Sequence, residues 1–69
     1  MTAKKTAQKL GKKVRAMRVE RDWSQDDLAR RLKWKQPNVS DLEAGKHAPS
    51  MPTLTKLATV FDVPVAALF

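Results

Sequence analysis

Apolar residues recur along this chain at spacings of three and four: Leu10, Val14 and Met17; Leu28, Ala29 and Leu32; Val39 and Leu42; Leu54, Leu57, Ala58 and Phe61. Such spacing puts each group on one face of a helix, and no stretch alternates at period two for long enough to suggest a strand. Capping and breaking residues then divide the chain into an expected five helices. The first spans about residues 6–20. The second, 24–32, opens on Ser24, whose hydroxyl can accept from an orphan backbone N–H while Asp27 reaches back to the Ser24 N–H. The third, 36–44, has Pro37 in its first turn, where a missing N–H does no harm, and is stopped by Gly45. Lys46, His47, Ala48 and Pro49 form a loop. Ser50 is then in place to cap a fourth helix that carries Pro52 in its first turn and ends at a left-handed Asp62. Val63-Pro64 opens a short fifth helix closing at Leu68-Phe69.

The stretch from Ser24 to Gly45 organises the rest, because it pairs two short helices across a tight corner at Lys33 and Trp34. Ala29 leaves room for the second of these to cross close to the backbone of the first, with Val39 and Leu42 as its partner surface. Residues 1–7 lack a clear period and are expected to be a flexible basic arm, with residues 8–69 as the folded domain. Trp23 has two open destinations, a plug between the first two helices or an exposed platform for stacking bases.

Size changes the picture little: 69 residues make one small domain, which buries only about 60% of the surface its unfolded chain exposes. Charge changes it more. Fourteen Lys and Arg against seven Asp and Glu give +7, and a basic surface attracts polyanions because each neutralised phosphate releases a condensed counterion. Without Cys there is no disulfide or thiolate metal site, and a lone His47 cannot build a metal centre. No cofactor is expected. No apolar run would span a bilayer and the Lys-rich amino terminus lacks a signal's apolar core, so an intracellular, cytoplasmic protein is expected, nucleoid-associated when on DNA. Gly11 and Gly45 cannot make a phosphate-cradling loop, and no hydrolase or nucleotide-binding motif occurs. Asp26 and Asp27, in a first turn, suit the helix dipole rather than catalysis, so no enzyme activity is expected.

The polar side chains at the start of the third helix carry the remaining chemistry. Gln36 can pair bidentately with adenine N6 and N7 in a major groove, while basic side chains and backbone N–H groups grip phosphates on either side. A basic amphipathic first helix could instead lie on a membrane surface, and a general RNA-binding helical domain would share the same charge.

Leu10-Gly11-Lys12-Lys13-Val14-Arg15, Ser24-Gln25, Leu28-Ala29, Val39-Ser40, Leu42-Glu43, Gly45-Lys46, Pro49 and Leu68-Phe69 together resemble the phage-repressor and Cro type of helix-turn-helix domain, the XRE family. The resemblance covers about residues 10–69. It implies an all-α, compact five-helix bundle of the lambda-repressor-like type that binds double-stranded DNA and regulates transcription, most naturally as a repressor. Three positions depart from the pattern: Lys33 replaces the usual turn Gly, Lys35 a Ser or Thr cap, and Pro64 a cap of the last helix.

Carried over residue by residue, the resemblance turns Lys35, Gln36, Pro37, Ser40 and Asp41 toward base edges and Ser24, Gln25, Asn38 and Lys46 toward phosphates. It also implies a partly buried ion pair between Arg18 and Glu43, the alternative being two independent surface charges. It implies a homodimer on a two-fold symmetric operator. With the chain ending at Phe69 and no separate dimerisation domain in view, the expected surface is Val65, Leu68 and Phe69, unless Phe69 folds back into the core. An antitoxin that neutralises a toxin protein, with DNA binding secondary, is the alternative function.

Overall fold

The structure, a computed structural model, describes residues 2–46 and 48–69, the side chains of residues 2–4 excepted; His47 lies outside the described residues. Four α-helices follow one another: α1 (Thr2–Glu20), α2 (Gln25–Leu32), α3 (Gln36–Glu43) and α4 (Met51–Phe61). A 3₁₀ turn, Val65–Leu68, ends the chain, and no strand occurs among the described residues. The expected fifth α-helix is therefore this single 3₁₀ turn. Pro64 at its N-cap makes no side-chain cap bond, and four residues give too few i to i−4 bonds to hold an α-helix. At the other end, α1 begins four residues earlier than periodicity alone suggests. The supposed arm is helical from Thr2, and Ala7 is 3% exposed, part of the core.

Leu10, Val14 and Met17 of α1 meet Leu28 and Leu32 of α2, Val39 and Leu42 of α3, and Leu54, Leu57 and Phe61 of α4 in one buried cluster. Leu68 is 0% exposed and closes that core. It cannot belong to a surface for a second copy, which corrects the expected dimer patch; Phe69 at 49% exposure stays outside.

The corner between α2 and α3 turns on Lys33 at φ 60°, ψ 38°, a left-handed conformation that costs an L-residue roughly 1–2 kcal/mol. The bend survives because the Trp34 N–H donates to the Ala29 carbonyl at 2.8 Å, and the Lys33 N–H turns back on the end of α2. Asp62 ends α4 in the same way at φ 57°, as its short polar side chain allows. Ser50 sits at the N-cap of α4, but its hydroxyl pairs with the Thr53 hydroxyl at 3.2 Å rather than with the helix backbone.

Of its two open destinations Trp23 takes the packed one, against the core, though its ring partner lies on α4. It stacks on the Phe61 ring of α4 with centroids 5.6 Å apart, and the Arg31 guanidinium lies 4.1 Å from the Trp23 ring centre. Arg21 ties the same corner, donating to the Met17 and Phe61 carbonyls at 2.9 Å each. With Phe61 and Arg31 against it, Trp23 is a structural stack and not a free platform.

Candidate nucleic-acid interface

Gly11, in the middle of α1, decides where α3 lies. A Cβ there would stand 2.5 Å from the Glu43 carbonyl oxygen and 2.6 Å from that of Leu42, so only glycine lets α1 cross the end of α3 this closely. Gly45, at φ 71°, ends α3 against Gln8 of α1, where a Cβ would meet the Gln8 Cα at 2.8 Å. The carboxyl end of α3 is thereby pinned to α1, leaving its amino end and outer face open.

Across this crossing runs a chain of hydrogen bonds. Arg18 Nε donates to Glu43 Oε2 at 2.6 Å and Nη2 to Oε1 at 3.0 Å, a fork-to-fork pair with side chains 11% and 4% exposed. Arg18 Nη1 donates to the Trp23 carbonyl at 2.7 Å, which anchors the guanidinium from a third direction. The Glu43 hydrogen bond holds the Arg18 pKa above its ordinary value, ahead of an opposing effect of burial. The expected ion pair is thus present and mostly buried; the alternative of two independent surface charges does not hold.

The polarity of this pair propagates outward. A carboxylate only accepts, so Gln25 must turn its NH₂ to Glu43 Oε1, at 3.2 Å. Its carbonyl oxygen then faces Gln36, whose Nε2 donates to it at 2.6 Å. Gln36 is left with its amide oxygen and one N–H unused, the acceptor-donor pattern that matches adenine N6 and N7. Gln25 likewise keeps one N–H for an outside acceptor. Neither amide can flip without setting like groups face to face.

The amino end of α2 is built as its sequence suggests. The Asp27 N–H donates to Ser24 Oγ at 3.0 Å and the Ser24 N–H to Asp27 Oδ2 at 2.8 Å, while Arg30 reaches Asp27 Oδ1 at 2.6 Å. The Ser24 backbone N–H, then Arg30, then the Ser24 side chain hold the Asp27 carboxyl below its ordinary pKa. Ser24 is thereby committed to the cap, at the exposed edge beside Gln25.

The other expected site residues fall into four places. Lys35, at the N-cap of α3, makes no side-chain cap bond and is exposed, as is Pro37 in the first turn. Ser40 is half-buried and lines, with Arg15, Arg18, Gln25, Glu43 and Ala44, a concavity of about 320 Å³. Asp41 pairs with Lys46 at 3.3 Å just past the helix end. Asn38 stands apart, on a groove shared with Trp34, Pro49 and Thr53 on the α4 side. Gly11 and Arg15 escaped the sequence reading of the site. Their signal was their spacing from Arg18, seven and three residues, which stacks all three on one stripe of α1.

No group of metal-ligating residues occurs among the described residues, and no helix there is long and apolar enough to cross a membrane. Comparison with known proteins places this architecture. A helix-turn-helix family model, HTH_3, matches residues 14–68. The cryptic phage CTXphi transcriptional repressor RstR of Vibrio cholerae is 36% identical over 56 residues, 81% of this chain and 50% of that protein. The chain thus spans about half the length of that curated relative. Among solved structures, the restriction-modification controller protein C.AhdI of Aeromonas hydrophila superimposes with a TM-score of 0.85 at 30% identity, over 91% of this chain and 96% of that one. The DNA-binding domain of BldD gives 0.86 at 30% identity, over 97% of each. With the family model running from the middle of α1 to Leu68, and with the Ser24 cap, the left-handed corner at Lys33 and the Arg18–Glu43 pair all in place, this chain belongs to the phage-repressor, or XRE-type, helix-turn-helix family.

Proposed function

We propose that this chain is a sequence-specific double-stranded DNA-binding transcriptional regulator, acting as a repressor, that reads the major groove with α3. The observation that carries this reading is the fixed amide of Gln36. Arg18, Glu43 and Gln25 hold it in one orientation at the open end of α3, with one donor and one acceptor left facing out. Around it stand the unpartnered Lys35 and Pro37 on one side and Ser40 and Asp41 one turn further on, in reach of neighbouring bases. Ser24 through its remaining hydroxyl proton, Gln25, Asn38 on the α4 side of α3 and Lys46 just past its end serve as phosphate contacts. The likeness to a phage repressor and to the DNA-binding domain of BldD supports the same assignment.

Binding is as a homodimer on a two-fold symmetric operator, with half-sites about 34 Å apart, one duplex turn. The exposed ring of Phe69 supports a contact at the C-terminal turn.

The test is selection of bound fragments from random duplex DNA, followed by salt titration of two variants on selected and scrambled duplexes. Gln36→Ala should lose a bidentate contact worth about 1–3 kcal/mol and relax preference at one base pair per half-site, leaving the salt dependence unchanged. Lys46→Ala should weaken both duplexes and lower the slope of log affinity against log salt by about 1. Equal weakening of both duplexes by Gln36→Ala would remove Gln36 as a base reader.

A further inference from the structure

The charge of the protein is not where its reading helix is. Seven of the fourteen Lys and Arg fall within α1 against a single acid, Glu20, so that α1 holds +6 of the net +7. Between Ser24 and Lys46, five cations stand against four acids, Asp26, Asp27, Asp41 and Glu43, for a balance of +1, or +2 once Glu43 is set against its α1 partner Arg18, which leaves α1 with +5. Arg30 is already paired with Asp27, and Lys46 shares an exposed pair with Asp41 that it must leave before it can hold a phosphate. The helix-turn-helix therefore brings little electrostatic grip of its own, although phosphate neutralisation supplies essentially all non-specific and much of specific affinity for duplex DNA.

On α1, Lys5, Lys9, Lys12, Lys13 and Arg15 are all exposed, and among the described residues none of them has a carboxylate partner. Their positions around the helix divide them. Gln8, Gly11 and Arg15 form the stripe next to α3: Gln8 lies against Gly45, Gly11 against the Leu42 and Glu43 carbonyls, and Arg15 shares the concavity of Gln25 and Ser40. At 3.6 residues per turn, Lys5 and Lys12 border this stripe, three residues before Gln8 and four after it. Lys9 and Lys13 fall on the far side of the helix.

From this division we infer that α1 is a second DNA-gripping element, in which Arg15 and Lys12, with Lys5 one turn or more away, hold phosphates of the same duplex whose groove α3 reads. The partner is the sugar-phosphate backbone bordering the half-site on the α1 side, opposite the amino end of α3. The inference rests on the assignment of α3 as the reading helix.

Two double variants remove equal charge from the two faces: Lys12→Gln with Arg15→Gln, and Lys9→Gln with Lys13→Gln. All four positions are exposed, and thermal melts followed by circular dichroism establish that both variants fold. Arg15→Gln alone gives a second, milder measurement. Affinity is titrated against salt on the selected duplex and on a scrambled one. The α3-side pair should lower the slope of log affinity against log salt by about 2, and Arg15→Gln alone by about 1, on both duplexes. The far-side pair should lower it by less than half as much. Equal losses from the two pairs would show only an effect of net charge, and no loss from either would remove α1 from the interface; each overturns the inference. A parent protein without preference for any duplex would instead refute the reading of α3, which the slopes do not test.

Discussion

Replacing Glu43 with Ala should be among the most damaging single changes in this molecule, and its effect can be worked from the geometry. The substitution removes two charge-assisted hydrogen bonds, at 2.6 and 3.0 Å, from an Arg18 side chain only 11% exposed. Breaking a buried pair by deleting one partner costs about 3–5 kcal/mol, because the remaining charge stays buried and uncompensated. Arg18 keeps the Trp23 carbonyl and a sliver of solvent, which puts the expected loss at the low end, about 3 kcal/mol. A chain of 69 residues has a total stability of roughly 3–10 kcal/mol, so between about a third and all of it is at stake. At about 4–8 °C per kcal/mol for a domain of this size, the melting temperature should fall by about 12–24 °C. Urea unfolding followed by Trp fluorescence, in which the stack of Trp23 on Phe61 serves as reporter, gives the same quantity as a shift in midpoint. Arg18→Met combined with Glu43→Leu should return to within about 1 kcal/mol of the parent, since apolar side chains of similar volume remove the buried charges together. That double variant should still lose discrimination at the Gln36 base pair, because Gln25 no longer has a carboxylate to fix its amide. A loss below about 1 kcal/mol for Glu43→Ala, the value of an exposed pair, would refute the reasoning.

Gly11→Ala should destabilise by about 1–3 kcal/mol or more, an overpacking effect, because the new Cβ meets backbone oxygens that cannot step aside; a chemical denaturation curve superimposable on the parent's would count against the close crossing. Lys33→Gly should raise stability by up to about 1 kcal/mol, the left-handed strain relieved being partly offset by the greater freedom of an unfolded glycine, and a fall in melting temperature would contradict it. Asp27 has a lowered folded pKa, so its contribution is fully present above the unfolded Asp value and is lost as pH falls through the folded one. Below about pH 4 the parent should therefore lose stability more steeply than Asp27→Asn, as read from melts between pH 3 and pH 6.

The sequence alone determined the helical periods, their order and most of their ends, because these depend on local chemistry. Ser24 and Asp27 can only make their box with each other, Pro37 fits only a first turn, and an apolar stripe at spacings of three and four needs a partner wherever it lies. The identity of the ion pair was legible too, through the resemblance that Arg18 and Glu43 carry. Tertiary structure decided the rest. Whether Leu68 faced a core or a second copy depends on where α4 delivers the C-terminal turn, and the turn packs it at 0% exposure. Trp23 found Phe61 and Arg31, 38 and eight residues along the chain, a choice that no local spacing encodes. The orientation of Gln36 follows from a carboxylate seven residues further on and a glutamine eleven residues back, which meet only when Gly11 lets α1 and α3 cross backbone to backbone. Hydrogen bonding fixed by a chain of polarity is a property of the assembled helices, and it is this property that leaves the amino end of α3 with one donor–acceptor pattern.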